Sequence, residues 1–261
     1  MQLSVDVMLD YWFYQRTDIL LTLQAATMPD QVVIEGTLNL WGSEPIRTVQ
    51  GGSDVGLRNW TTVEYGRSVI TYRATIDVGR QTPRLSGMAS APLPTLAAEV
   101  IPFIWPSRYC EADRFRSFVA TEFGDLRGGD LVERMVGWVG RHLNYVPGCS
   151  DVTTSAADTF ISRQGVCRDY AHLTAALIRA ADIPARLVSV YAIGLPIPDF
   201  HAVVEVWLED AWHLVDATAL APIDTMIRIA AGRDATDIAF MTAFGSAQLN
   251  SQSVAVFPTA A

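Results

Sequence analysis

The hydrophobic pattern of this chain changes its period once, and this change limits the folds that the chain can adopt. Apolar and polar side chains alternate through residues 68–78, the period-two pattern of a half-buried β-strand. Residues 32–34 and 61–65 are also rich in β-branched and aromatic types. After Pro106 the apolar positions recur at helical spacing. The sequence therefore predicts an all-β N-terminal region followed by a mixed region of helices and strands.

Prolines between the two regions mark a predicted domain boundary. Residues 81–84 and 91–94 contain proline, which cannot continue a β ladder. The chain has 261 residues, enough for one large domain or two modest ones. We place the boundary near residue 95, which gives a β-rich domain over 1–95 and a second domain over 96–261.

The charge and the cysteine count exclude several classes of protein. With 28 acidic and 19 basic residues, the formal net charge is −9, which argues against nucleic-acid and anionic-membrane partners. Three cysteines are too few, and odd in number, for a disulfide framework. We see no signal-peptide pattern and no apolar run long enough to span a bilayer. We therefore expect a cytoplasmic protein.

One cysteine in the second region lies where a helix is predicted to begin. Cys167 follows Gly165, a residue that would permit a sharp turn before the helix. A helix N-terminus stabilises a thiolate, and its free N–H groups can bind the oxyanion of a tetrahedral intermediate. The alternative is an inert core cysteine, the commoner role of a single buried cysteine.

A histidine and an aspartate lie on two strands that are predicted to form a hairpin. With the turn at residues 209–210, residue i faces residue 419 − i, so Asp216 faces Val203 on the same face as His201. Such diagonal neighbours are within side-chain reach, so Asp216 could orient the imidazole. Asp216 could instead serve only to cap its strand.

Metal binding is a competing use of Cys, His and Asp side chains. It requires three or four ligands at compatible spacing, and the sequence has no Cys-x-x-Cys or His-x-x-x-His pair. The alternating acidic residues of a calcium loop are also missing. We expect neither a metal ion nor a cofactor.

Taken together, these motifs resemble the transglutaminase-like superfamily of papain-type thiol enzymes, in particular its bacterial members. The resemblance covers residues from about 100 to 220 and is carried by these segments: 106–109, 141–145, 165–171, 183–186, 201–206 and 212–218. Two positions depart from the family pattern. The usual His-Ala-Trp is His201-Ala202-Val203 here, and the usual Asp-Pro-Thr is Asp216-Ala217-Thr218. Neither departure removes a reacting group.

The resemblance implies an α+β core in which a helix carrying the cysteine packs on an antiparallel sheet carrying His and Asp. It implies that Cys167 is the nucleophile, His201 the general base and acid, and Asp216 the residue that orients the imidazole. The β-rich first region resembles the domain that often precedes this core in bacteria. Residues 222–261 resemble the family's closing strands.

Three further residues are candidates for a supporting role at this site. Tyr145 could place its hydroxyl at the oxyanion, or it could only pack at a helix end. Arg168 and Asp169 could support the site, or they could form no more than a charge pair in the first helical turn.

The predicted function is thiol-dependent acyl transfer on an amide or peptide bond of a peptide or protein substrate. The acyl-enzyme thioester is released by water in a protease or amidase, which we favour, or by an amine in a transglutaminase. One alternative is a non-catalytic binding protein that retains the fold. Another is an acyltransferase that uses a thioester donor, although no motif indicates a coenzyme A site.

Overall fold

The structure, a computed structural model, describes residues 1–51 and 56–259. No helix within these ranges is long and apolar enough to cross a membrane. Short 3-10 helices lie at Leu93–Thr95, Ile101–Ile104, Ala112–Phe115 and Ile223–Thr225. The strands and α-helices follow one another in this order: β1 Gln2–Phe13, β2 Thr17–Leu21, β3 Gln31–Leu40, β4 Arg47–Gln50, β5 Leu57–Val63, β6 Gly66–Val78, α1 Arg116–Phe123, α2 Gly128–His142, β7 Asn144–Tyr145, α3 Ala156–Ser162, β8 Gln164–Gly165, α4 Cys167–Ala180, β9 Ala185–Tyr191, β10 His201–Leu208, β11 Ala211–Val215, β12 Ile227–Gly232, α5 Ala235–Ile238, β13 Met241–Ala243 and β14 Ala247–Pro258.

The N-terminal region supplies three strands to each of two antiparallel four-stranded sheets, and a C-terminal strand completes each one. Their orders are β14-β1-β6-β3 and β13-β2-β5-β4. The strands predicted near 32–34, 61–65 and 68–78 are parts of β3, β5 and β6. In β6 the alternating pattern buries one set of side chains, including Ile70 and Tyr72, against the core of this region. The predicted all-β character of the N-terminal region is confirmed.

The C-terminal strands return to these N-terminal sheets. β14 pairs with β1 from Leu3↔Pro258 to Phe13↔Ala247, and β13 pairs with β2. The resemblance predicts that residues 222–261 supply the closing strands of the second region. This is right for β12, which pairs with β9, but wrong for β13 and β14, because their backbones hydrogen-bond to the N-terminal strands. The division into 1–95 and 96–261 stays a prediction.

The second region has the predicted α+β architecture. Its sheet has the order β11-β10-β9-β12, and α4 packs on it through a shared apolar core. The hairpin of β10 and β11 pairs Val204 with Val215 and Leu208 with Ala211, which is the predicted register. The helix predicted to begin at the cysteine is α4, which starts at Cys167.

The two regions are joined by buried polar contacts as well as by apolar packing. The Gln31 side-chain amide donates to the Arg228 carbonyl at 2.9 Å, and the Arg228 amide donates to Gln31 Oε1 at 2.7 Å. Tyr191 donates its hydroxyl to the Leu23 carbonyl at 2.7 Å and stacks on Tyr72. These contacts connect the second sheet to the β-rich region, because Arg228 lies on β12 and Tyr191 on β9.

A charged cluster is buried in the second sheet near this junction. The Glu205 carboxylate has no solvent exposure and accepts from Arg186 Nε at 2.7 Å. Arg228, which is 4% exposed, forms a second ion pair with Glu205 and a third with Asp30 of the N-terminal region. Buried charges are tolerated only when they are paired, so these residues depend on one another.

Candidate active site

Cys167 is the first residue of α4, and a buried carboxylate holds the start of that helix in place. The Asp169 side chain accepts a hydrogen bond from the Val166 backbone amide at 2.8 Å and has no solvent exposure. A Cβ atom at Gly165 would lie 2.7 Å from Asp169 Cβ, so only glycine leaves room for this carboxylate. The φ angle of Gly165 is not in the positive range, so close packing against Asp169 is the reason for glycine that the structure gives.

His201 and Asp216 lie side by side, as the hairpin register predicts. His201 begins β10, and Asp216 follows the last residue of β11. Their side chains are 2% and 3% exposed, and His201 Nε2 lies 2.9 Å from Asp216 Oδ2. Thr218 donates to Asp216 from its backbone amide and its hydroxyl, both at 2.8 Å. Since Nε2 faces the carboxylate, Nδ1 is the ring nitrogen that remains for the thiol.

The surroundings of His201 favour its charged form. Burial lowers the pKa of the imidazole, but the hydrogen bond to Asp216 and the interaction with the Cys167 side chain outweigh it. Together with the negative charge of Asp216, they raise the pKa of His201 to about 9. A cationic imidazole beside a cysteine at a helix N-terminus is an arrangement that activates thiols.

Tyr145 lies beside the thiol, on the short strand β7 that pairs with β8 at Gly165. Its hydroxyl is close enough to Cys167 that both the backbone and the side chain of Cys167 affect its pKa. Burial and the nearby Cys167 raise the pKa of Tyr145 to about 12, so the phenol keeps its proton. A protonated phenol at this position can donate a hydrogen bond to an oxygen that binds next to the thiol.

Arg168 lines the cleft beside Cys167 and binds the neighbouring loop. Its Nη2 donates to the Asp151 carbonyl at 2.7 Å and to Ser150 Oγ at 3.3 Å. The same nitrogen lies 3.3 Å from Asp169 Oδ1, which is the charge pair that the sequence left open. Arg168 and Asp169 thus hold the loop and the helix start, and their side chains contact each other.

The remaining cysteines lie in different surroundings from Cys167. Cys110 is fully buried, and burial raises the pKa of its thiol to about 12. Cys149 is exposed, and Cys167 is partly exposed. All three cysteines are free thiols. One alkylation experiment can therefore compare the reaction rate of Cys167 with that of a buried thiol, Cys110, and with that of an exposed thiol, Cys149, in the same protein.

Cys167 and His201 open into a cleft of about 800 Å³ that the sequence did not predict. Residues 239–242 form part of its wall, and Gln252 of β14 also lines it. Asp199 lies in the same cleft, and its Oδ1 accepts from Gln252 Nε2 at 2.7 Å. Asp199 stands two residues before His201, a closeness that could have drawn attention to it. Nothing local in the sequence connects Gln252 or residues 239–242 to this site.

Comparison with known proteins agrees with this geometry. The profile of the Transglutaminase-like superfamily matches residues 117–217. An uncharacterized protein of Mycobacterium leprae is 32% identical over 110 residues, which is 39% of this chain and 39% of that protein. The chain thus matches well under half the length of that curated relative.

Solved structures extend the likeness to the whole chain. A proposed cysteine protease from Cytophaga hutchinsonii is 30% identical, with a TM-score of 0.92 over 100% of this chain and 91% of that one. The periplasmic domain of TgpA from Pseudomonas aeruginosa is a distant likeness, 17% identical with a TM-score of 0.43 over 84% of this chain and 90% of that one. The Cytophaga structure shares both the β-rich region and the region that carries the cleft.

Proposed function

We propose a function for this chain from one premise, which is that it belongs to the transglutaminase-like superfamily. Family membership and the likeness to the Cytophaga protein support a thiol enzyme. We infer that the chain acts on amide or peptide bonds of a peptide or protein substrate and that water releases the product, as in a cysteine protease or amidase.

In the proposed mechanism Cys167 attacks the carbonyl carbon of the substrate. His201 takes up the thiol proton before the attack, which gives the cationic imidazole, and donates it to the leaving amine as the C–N bond breaks. Asp216 holds the imidazole ring in place and stabilises its positive charge. Water then attacks the thioester carbonyl while His201 takes a proton from it, and the C–S bond breaks as that proton returns to the sulfur, which releases the carboxylic acid product and regenerates the thiol.

One observation carries this proposal. A single imidazole contacts Asp216 through Nε2 at 2.9 Å and also interacts with the side chain of Cys167, at the start of a helix and beside a cleft. Each of these features has a structural explanation by itself. Their coincidence at one ring is what acyl transfer through a thiolate requires.

The proposal is tested by selective alkylation. We expect iodoacetamide at pH 6 to modify Cys167 faster than Cys149 and Cys110, as mapped by peptide mass spectrometry. The matched control is His201→Ala, which should slow the modification of Cys167 to the rate of the exposed Cys149. Equal rates at Cys167 and Cys149 in the unsubstituted protein would refute the proposal and favour a binding protein that retains the fold.

A second experiment identifies the acceptor of the acyl group. The protein is incubated with a library of glutamine-containing peptides, with and without an added primary amine. Chain cleavage supports a protease, and ammonia release without cleavage supports an amidase. Incorporation of the amine would replace the hydrolytic proposal with a transglutaminase.

Three free thiols are compatible with the proposed cytoplasmic setting.

A further inference from the structure

The cleft that contains the thiol is also lined by the end strand of a β-sheet. Residues 239–242 line the cleft together with Cys167 and His201, and β13 begins within them at Met241. Among the residues that the structure describes, β13 is the terminal strand in the order β13-β2-β5-β4, so a neighbouring strand covers only one of its edges. An uncovered strand edge is a template for pairing with another extended chain.

The hydrogen-bond pattern shows which groups of β13 are available at this edge. The Thr22 amide donates to the Phe240 carbonyl at 2.9 Å, and the Phe244 amide donates to the Asp18 carbonyl at 2.9 Å. In an antiparallel pair, alternate residues direct both backbone groups to the same side. Phe240, Thr242 and Phe244 therefore face β2, and the N–H and C=O groups of Met241 point to the opposite, open side.

The open edge is held in a defined position relative to the reacting side chains. The ring of Phe240 stacks on the ring of Phe200, with centroids 4.4 Å apart and planes within 5°. Phe200 directly precedes His201. On the other side, the Ala235 amide donates to His172 Nε2 of α4 at 3.1 Å. The segment that leads into β13 is thus tied to both elements that carry Cys167 and His201.

We propose that the substrate is an extended polypeptide that binds as an added β-strand on the open edge of β13. The Met241 amide donates to a substrate carbonyl, and the Met241 carbonyl accepts from a substrate amide. A cleft of about 800 Å³ has room for several residues of an extended chain. This inference rests on the proposed function, because it assigns the substrate class of the same site. It also assigns the C-terminal strands a direct part in substrate binding.

The test uses chloromethyl ketones of two lengths, acetyl-Ala and acetyl-Ala-Ala-Ala-Ala, so the natural substrate need not be known. The Cys167 sulfur displaces chloride, the new S–C bond replaces the C–Cl bond, and the thiol proton passes to His201. Mass spectrometry follows the rate at which Cys167 is modified. We expect the longer reagent to react at least tenfold faster, because only it reaches the edge of β13.

Two variants separate the backbone of Met241 from its side chain. Met241→Pro removes an N–H that β2 does not use, and proline is tolerated on an edge strand. We expect this variant to reduce the advantage of the longer reagent about fivefold, which corresponds to one lost hydrogen bond. Met241→Ala keeps the N–H and should retain the advantage. Iodoacetamide should modify Cys167 at the same rate in both variants.

A second measurement leaves the protein unchanged. N-methylation of the longer reagent removes its backbone donors, and we expect the same loss of advantage with the unsubstituted protein. Equal rates for the two original reagents, or an advantage that survives both Met241→Pro and N-methylation, would overturn the proposal. Failure of the proposed function looks different, because iodoacetamide would then not select Cys167 at all.

Discussion

Replacing Asp216 with asparagine should change how the stability of this protein depends on pH. In the folded protein the pKa of His201 is raised from 6.5 to about 9, even though burial alone would lower it. Asparagine has nearly the same shape as aspartate and can still accept a hydrogen bond from Nε2, but it carries no charge. Without the carboxylate, burial is opposed only by the interaction with Cys167, and we expect the pKa of His201 to fall from about 9 toward 6.5.

The size of the effect follows from the difference between the two pKa values. A shift from 6.5 to about 9 corresponds to about 3 kcal/mol of folding free energy. Because the folded-state pKa is the higher one, this stabilisation is complete below pH 6.5. It is lost as the pH rises through about 9. In Asp216→Asn this loss should disappear.

The assay is urea unfolding of both proteins at several pH values from 6 to 10. Titrations that the two proteins share cancel when one free energy of unfolding is subtracted from the other. We expect this difference to shrink by about 3 kcal/mol across the range. The proton resonances of the His201 ring should show the shift in pKa directly. A difference that stays constant within about 0.5 kcal/mol would refute the assigned origin of the shift.

Three other substitutions test the surroundings of the site. Tyr145→Phe removes only the hydroxyl and should lower kcat about 100-fold with little change in KM, whereas a packing role would leave kcat unchanged. Gly165→Ala should cost about 1 kcal/mol in urea unfolding and slow the alkylation of the proposed nucleophile. Gly79→Ala is its control, because nothing lies within 4 Å of the added Cβ. Glu205→Leu leaves two buried arginines without this partner and should cost about 3–5 kcal/mol, and the exposed Glu64→Leu should cost less than about 1 kcal/mol.

Local patterns were enough to predict the elements that carry the candidate site. The two-residue turn at 209–210 allows one simple register, so the pairing of Val204 with Val215 follows from the sequence. The start of α4 at Cys167 follows from the change to helical periodicity after Gly165. The catalytic roles of Cys167, His201 and Asp216 stay predictions until the alkylation experiment is done.

Other features have no local signature. Strands β1 and β14 pair although more than 230 residues separate them, and either strand could pair with any edge of suitable pattern. The function of Gly165 depends on the side chain of Asp169, which returns to the helix start only after the first turn has formed. Tyr145 interacts with the Cys167 side chain, and this interaction likewise depends on the pairing of β7 with β8.

The sequence by itself determined the candidate reacting groups and the order in which they occur. Periodicity, a helix start and a short hairpin are local properties, and they are sufficient to bring His201 next to Asp216. Only the tertiary structure decided what surrounds them, because the cleft wall at residues 239–242 comes from strands that return to the N-terminal sheets. Such long-range pairing depends on the packing of the whole chain, so the open edge of β13 could be recognised only in the folded protein.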